Sequence, residues 1–422
     1  MIALNKPDST QCSGTIPCRP TIFDENPLLE FLNSARFSIF PGFCDVHVHF
    51  REPGFSYKET VATGTRAAAR GGFTAVGTMP NLDPVPDSVE NLALAQEYID
   101  AGALINVYPY GSITAAERGE RLADLRDMAP YALAFSDDGM GVQSRELMRE
   151  AMVLAKELGK VIAAHCEDAE LKGRGYINDG EYARAHNHIG IPKESEWREL
   201  ERDLELAKDT GVAFHACHIS CAESVELMRQ AKADGIDASC ETAPHYLVFD
   251  DSMLQEDGRF KMNPPLRAPQ DRHALLEAVA DGTIDMFATD HAPHAEEEKS
   301  RGLAESAFGV VGIENSFQAI YTHLVRPGVI TMERAMELLA HNPRKRFKIP
   351  LGEDFSVWDL DHRQNLDPNE FESLGRATPF AGTELFGKCL LTVCGGKIAY
   401  LDSAAMISTT TAAMTPSTKG QL

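Results

Sequence analysis

The stretch DVHVHFREPG, residues 45–54, holds His47 and His49 two positions apart, with Arg51 two further on. In an extended strand, side chains at i, i+2 and i+4 leave the same face. Such a strand presents two imidazoles and a guanidinium to one space. Neutral imidazoles ligate borderline divalent metals, and a guanidinium fork holds both oxygens of a carboxylate. Further metal-capable side chains follow apolar runs: Asp137 or Asp138 after YALAF, His165 after KVIAA, His218 after VAFHAC, and Asp290, His291 and His294 after IDMFAT. A single histidine near a strand end is more often a hydrogen-bonded structural residue, and an aspartate there is often a helix cap. The set points elsewhere, because five runs deliver such a residue at the same end. Four histidines with one or two carboxylates suit two divalent ions such as zinc. Two cations sharing one oxygen generate a hydroxide near neutral pH and polarise a carbonyl. A neighbouring carboxylate, as Asp290 is expected to be, can take the proton and return it to a leaving nitrogen. The chemistry is amide hydrolysis or its reverse. The residues alone do not choose between Asp137 and Asp138.

These side chains need strands to carry them. Eight short apolar runs fall at 44–50, 73–80, 104–111, 131–137, 160–166, 212–219, 236–243 and 284–290. Amphipathic segments lie between them, among them 57–72, 144–160, 194–211 and 222–235, several ending in Gly with Lys or Arg in the last turns, as helix C-termini prefer. In 144–160, Leu147, Ala151, Leu154, Ala155 and Leu158 recur at helical spacing. Eight strands alternating with helices predict an α/β fold, a (β/α)₈ barrel whose chemistry sits where strands run into the following loops. The barrel is expected over 41–350. Residues 351–402 are expected to return to a small β-domain, with a hairpin in KCLLTVCGGKIAYLD closed by Gly395-Gly396. Residues 1–40 show little strand alternation and are assigned to the same small domain. The tail 403–422, small and polar, is expected to be disordered. No internal repeat recurs at a fixed period.

With 422 residues, 43% hydrophobic and 24% charged, the composition is that of a globular protein able to bury a large core. The net charge of −23 argues against a nucleic-acid partner, which calls for Lys and Arg against phosphates. An anionic small substrate is still compatible, because a metal or one Arg reverses the local field. Nine scattered Cys suit reduced thiols in a cytoplasmic protein. Cys217 and Cys221 bracket His218 without the spacing of a zinc knuckle and are read as small buried apolar residues. The start MIALNKPDST has no secretory pattern, and no run approaches the ~20 apolar residues of a membrane helix.

The ordered series PGFCDVHVHFREPG, GGFTAVGTMPNLDPVPDS, AFSDDG, AAHCED, CHIS, ETAPHYL, NPPLR and ATDHAPHAEEEK…FGVVGIE resembles the bacterial dihydroorotases of the amidohydrolase superfamily, over roughly residues 40–350. The resemblance implies a zinc held by His47, His49 and Asp290, a second by His165 and His218, and Asp138 bridging the two. Many relatives bridge their metals with a carboxylated lysine. Here the AFSDDG end has no lysine, which is similar to the aspartate-bridged (class I) subgroup. By the same resemblance Arg51 and Asn81 hold a substrate carboxylate, Asn263 and His294 are further ligands alongside His49, and the backbone of Phe308 and Gly309 meets the ring edge. Asn81 and Asn263 also fit turn chemistry, each lying next to a proline, and Arg267 is read as structural. The implied reaction interconverts N-carbamoyl-L-aspartate and (S)-dihydroorotate in pyrimidine synthesis, with Asp290 as the catalytic base and acid. The implied partners are a second copy, as a homodimer, and aspartate transcarbamoylase.

Two rival readings differ in their requirements. A dihydropyrimidinase, hydantoinase or allantoinase needs no carboxylate-binding pair such as Arg51–Asn81 and typically carries the lysine bridge. A non-catalytic scaffold relative is expected to have lost metal ligands, whereas every expected ligand is present here.

Overall fold

The computed structural model describes residues 36–403. The expectations for residues 1–35 and for the tail from 404 onward lie outside the described residues. The strands, in chain order, are β1 (Ser38–Pro41), β2 (Phe43–Val48), β3 (Phe73–Thr78), β4 (Asn106–Pro109), β5 (Val161–Ala164), β6 (Ile177–Asn178), β7 (Gly190–Ile191), β8 (Ala213–Ala216), β9 (Ala238–Thr242), β10 (Met286–Phe287), β11 (Phe355–Asn365), β12 (Glu384–Cys394) and β13 (Lys397–Leu401). Strands β2-β3-β4 form one parallel sheet and β10-β9-β8-β5 another. Every residue of β2 and β3 is buried, as parallel strands covered on both faces require. The molecule is thus an α/β protein built on parallel sheets.

Seven of the eight expected strands are present. The exception is 131–137, which makes no strand. Leu133 N–H donates to Pro109 O at 2.8 Å and Gly111 N–H to Ala134 O at 3.1 Å, while Phe135 N–H donates to Val161 O at 3.1 Å and Phe135 O accepts from Ala163 at 2.9 Å. The segment is paired on both sides, but Phe135 alone completes parallel bridges, to Gly111 and to Ile162. Two local features interrupt a ladder. Pro109 has no N–H to give, and Asp137 turns back onto the 113–114 backbone. His291 makes a similar pair of single bridges, to Val48 and Val310.

Helices α1 (Val61–Arg70), α2 (Val89–Gly102), α3 (Arg145–Leu158), α4 (Glu194–Thr210), α5 (Ala222–Ala233) and α6 (Pro269–Asp281) cross between strands. Thr60, Ser88 and Ser144 cap α1, α2 and α3 through their hydroxyls. In α3 the buried stripe is Met148, Ala151, Met152 and Ala155. Leu147, Leu154 and Leu158 flank it half-buried, so the expected face is rotated toward the methionines. Gly64 within α1 is explained by Phe50, since a Cβ there would lie 2.5 Å from its ring. The helix can therefore press against the loop that carries His49 and Arg51.

A four-stranded antiparallel sheet, ordered β1-β11-β12-β13, gathers both ends of the described chain. The β12–β13 hairpin turns through Gly395 and Gly396 at φ 56° and 72°, the positive angles that a two-residue type I′ turn needs. One face has its own apolar cluster of Phe37, Phe355, Val357, Leu390, Leu391 and Val393. From the other face Trp358 enters the main core, 4.5 Å from the Phe317 ring and 6.0 Å from Phe43, with its indole N–H on Ser356 Oγ at 2.9 Å. No helix among the described residues is long and apolar enough to cross a membrane. The seven described cysteines are free and buried. Trp358→Ala is expected to cost about 3–5 kcal/mol, as large aromatic truncations in cores do, read as a lower midpoint in denaturant unfolding.

Candidate active site

The histidines and aspartates of the strand ends converge. His47, the last residue but one of β2, points its Nε2 at Asp138 Oδ1 (3.3 Å) and Asp290 Oδ1 (3.6 Å). His49, just past the strand, places Nε2 3.0 Å from Asp290 Oδ1 and 3.5 Å from Asp138 Oδ2. On the other side of Asp138 stand His218 Nε2 at 3.5 Å and His165 Nδ1 at 3.8 Å, themselves 3.0 Å apart. All six side chains are buried. The backbone bends sharply to deliver them: His218 and Asp290 have φ of 31° and 47°, a region that non-glycine residues enter at a cost and mostly at functional sites. His291 turns away, its Nε2 3.6 Å from Glu59 Oε2.

Asp137 and Asp138 part company here. Asp137 accepts from the N–H groups of Ile113 (2.7 Å) and Thr114 (3.0 Å) and from the Thr114 hydroxyl, so it fastens a loop. Asp138 alone faces the imidazoles. Burial opposes its charge, but His47 and His218 hold its carboxyl well below the usual carboxylate range. Burial likewise opposes a charged His47, yet Asp138 and Glu241 together lift it well above its ordinary value.

The donor set fits divalent cations. The facing atoms of His47, His49 and Asp290 lie within 4.8 Å of one another, as do those of His47, Asp138 and His218. Buried His47 Nε2 and Asp138 Oδ1 have no hydrogen-bond partner, a loss of roughly 1–3 kcal/mol for each such atom unless a ligand satisfies it. Imidazole nitrogens with carboxylate oxygens are the donors borderline metals take. A third grouping, His47 with Cys217 and Glu241, lies behind the first two. Burial pushes the Cys217 thiol up to about 12, so it stays protonated.

Several supporting groups have no local signature in the sequence. Glu241 of β9 takes His47 Nδ1 at 2.7 Å and His215 Nε2 at 3.0 Å. It fixes the tautomer that leaves His47 Nε2 free as a ligand, the usual role of a carboxylate behind a metal-binding histidine. Asp45 accepts His47 N–H at 3.1 Å together with the Thr289 N–H and hydroxyl, joining β2 to the segment after β10. Glu167 Oε2 lies 3.3 Å from His165 Nε2 and accepts from Lys172 at 2.5 Å and Asn263 at 3.0 Å. Glu167 lies two positions past His165 in AAHCED, whereas Glu241, in the ETAPHYL run, is 194 positions from His47 and nothing nearby marks it as a histidine's partner.

Arg51 does not lie on the β2 face, contrary to expectation. β2 stops at Val48, and Arg51 sits in the following turn at φ 59°. Its Nε donates to Pro293 O at 3.2 Å and its Nη2 lies 3.4 Å from His294 Nε2. The fork is thus set by the Pro293 carbonyl and the His294 imidazole rather than by strand geometry. His294 Nε2 donates to Phe308 O at 2.7 Å. Burial and the Arg51 and Lys58 cations hold this imidazole down to about 3. Asn81 donates to Asp138 O at 2.5 Å and, less closely, to Glu117 at 3.3 Å. The Oδ1 atoms of Asn81 and Asn263 are buried without a partner, consistent with groups that await a ligand. Gly309, at φ 122°, passes so close to Ala292 that a Cβ would meet its Cβ at 2.8 Å.

Buried imidazoles and carboxylates thus converge at the ends of parallel strands as a donor set for divalent cations. The structure is similar to L-hydantoinase (dihydropyrimidinase) from Arthrobacter aurescens, with a TM-score of 0.75, 24% identity and coverage of 86% of this chain and 85% of that one. It is equally similar to D-hydantoinase (dihydropyrimidinase) from Thermus sp., with a TM-score of 0.75, 24% identity and 87% and 85% coverage. The family model Dihydro-orotase-like matches residues 37–224. The dihydroorotase of Fusobacterium nucleatum subsp. nucleatum is 46% identical over 90% of this chain and 91% of its own length. That of Shouchella clausii is 45% identical over 86% and 87%. The chain belongs to the dihydroorotase family.

Replacing Glu241 with Gln is expected to weaken metal retention about 10–100-fold, as loss of a histidine's backing carboxylate does. Metal content after dialysis against graded chelator checks it. Unchanged retention would show that Glu241 does not orient His47 for a metal.

Proposed function

We propose that the protein is a dihydroorotase, which closes N-carbamoyl-L-aspartate to (S)-dihydroorotate and reopens it in pyrimidine biosynthesis. The observation that carries the choice among cyclic amides is Arg51. Its guanidinium lies beside His294 and acts electrostatically on both His49 and Asp290, which supports reading it as a carboxylate anchor at the edge of the cluster. A neutral ring gives such a half-buried cation nothing to pair with. Two zinc ions would be the cofactor in this reading; His47, His49 and Asp290 would hold one, His165 and His218 the second, and Asp138 would contribute to both. When bound, they supply an activated water and polarise the amide carbonyl. Asp290, kept ionised by His49 against burial, accepts a proton in ring opening and returns it to the departing ring nitrogen. In closure it performs the reverse. Arg51 and Asn81 orient the carboxylate, Asn263 and His294 the remainder of the ring, and the Phe308–Gly309 backbone its edge.

The single bridges at Phe135 and His291 support reading the two parallel sheets as one (β/α)₈ barrel over 41–350. The antiparallel sheet of β1 and β11–β13 then forms the small satellite β-domain. Family resemblance supports a cytoplasmic homodimer and association with aspartate transcarbamoylase.

Ring opening of dihydroorotate, dihydrouracil and hydantoin by the zinc-loaded protein, measured side by side, tests the substrate. Activity is expected on dihydroorotate, and turnover confined to the uncharged rings would sink the proposal. Arg51→Ala is expected to raise KM for dihydroorotate by about 10- to 150-fold, as loss of a charge-assisted pair worth about 1.5–3 kcal/mol implies, with metal content unchanged. Loss of metal in that variant would assign Arg51 to the scaffold instead.

A further inference from the structure

Lys299 closes the short helix Glu296–Lys299 that follows His294, and it is buried, 5% exposed. Its ammonium donates to three carbonyls: Ala307 O at 2.7 Å, Gly309 O at 2.7 Å and Lys261 O at 3.0 Å. An ammonium has three N–H donors, so the group is saturated by main chain alone. The acceptors belong to two separate loops. Lys261 lies two residues before Asn263, and Ala307 and Gly309 flank Phe308. Gly309 N–H donates to Lys261 O at 3.1 Å, so this one carbonyl takes both the ammonium and the neighbouring loop. The remaining carbonyl of the turn, Phe308 O, is held by His294. All three carbonyls from 307 to 309 are thereby occupied.

We propose that Lys299 is a positioning residue that locks the loop carrying Asn263 to the loop carrying Phe308 and Gly309, and so sets the width of the slot that receives the substrate ring. The proposal rests on the reading above, in which those residues touch substrate. Burial and the Lys261 cation push the Lys299 ammonium down to about 7. Burial disfavours a charge at this point, and the donors that accompany it go to the two loops. Packing alone does not require a cation. A methionine fills a similar volume without donors, so the lock separates from the filling of space.

The test compares Lys299→Met with the milder Lys299→Gln, which keeps an amide N–H for part of the work. Amide hydrogen exchange of the ligand-free protein reports the lock without substrate. Exchange across 257–263 and 305–311 is expected to rise at least tenfold in Lys299→Met, and less in Lys299→Gln, while helices α3 and α4 stay as protected as before. Steady-state kinetics report the slot: KM for dihydroorotate is expected to rise tenfold or more, kcat to change less than threefold, and metal content to hold. Unchanged exchange in both loops overturns the lock. Raised exchange with unchanged KM overturns the positioning role. Loss of metal, or a uniform rise in exchange through α3 and α4 in both variants, makes Lys299 a general structural residue and overturns the proposal too. Arg51→Ala, measured beside them, separates the two ideas. If it leaves KM unchanged while the Lys299 variants raise it, the carboxylate reading fails and the lock stands.

Discussion

Two charged carboxylates, Asp138 and Asp290, are buried within reach of four imidazoles, and the rest of the site is arranged around keeping them so. An isolated buried carboxylate protonates rather than pay desolvation. Here the imidazoles hold both carboxyls low, and that requires the histidines to stay within about 4 Å at fixed orientations. The strand ends supply the approach, and a further row of carboxylates supplies the orientation. Glu241 fixes His47 and His215, Glu167 backs His165, and Asp45 ties the backbone of His47 to Thr289. Negative charge is therefore layered outward from the centre, with imidazoles between the layers. The arrangement is unstable to removal of any one layer, since each leaves an uncompensated group in a low dielectric.

Cations take the periphery. Arg51 and Lys299 each stand one layer out from the cluster, and each is held by backbone carbonyls more than by acids. A guanidinium neutralised by a nearby carboxylate has little left for an anionic ligand, whereas Arg51, held by the Pro293 carbonyl, keeps its charge for one, and Lys299 spends its donors on the loops. A protein with a net charge of −23 can thus present a locally positive slot without a broad basic surface.

The parts of this arrangement that were legible in the sequence are those with a local signature. His47, His49, His165, His218 and Asp290 each stand at the end of an apolar run, so their convergence could be inferred from run spacing alone. The choice between Asp137 and Asp138 could not, because it depends on which one reaches the backbone of Ile113 and Thr114, a loop contact made across 23 or more residues. Glu241 carries no local mark, because a carboxylate that serves a histidine from another strand looks like any strand residue, and the tie from Asp45 to Thr289 spans 244 positions. The segment 131–137 read as a strand and is paired like one, but Pro109 and Asp137 spoil its ladder. Arg51 was placed on the strand face by period-two counting, and the left-handed turn after Val48 invalidates the count.

The pairing of β1 with β11 has a consequence for how the chain is made. Ser38 lies opposite Trp358, about 320 positions later. At the usual 5–20 residues per second of synthesis, β1 leaves the ribosome roughly 15 to 60 s before its partner exists. Through that interval β1 has no β11 beside it, and Phe43 has no Trp358 to pack with. The early strand is thus held in reserve until the last sixth of the chain appears.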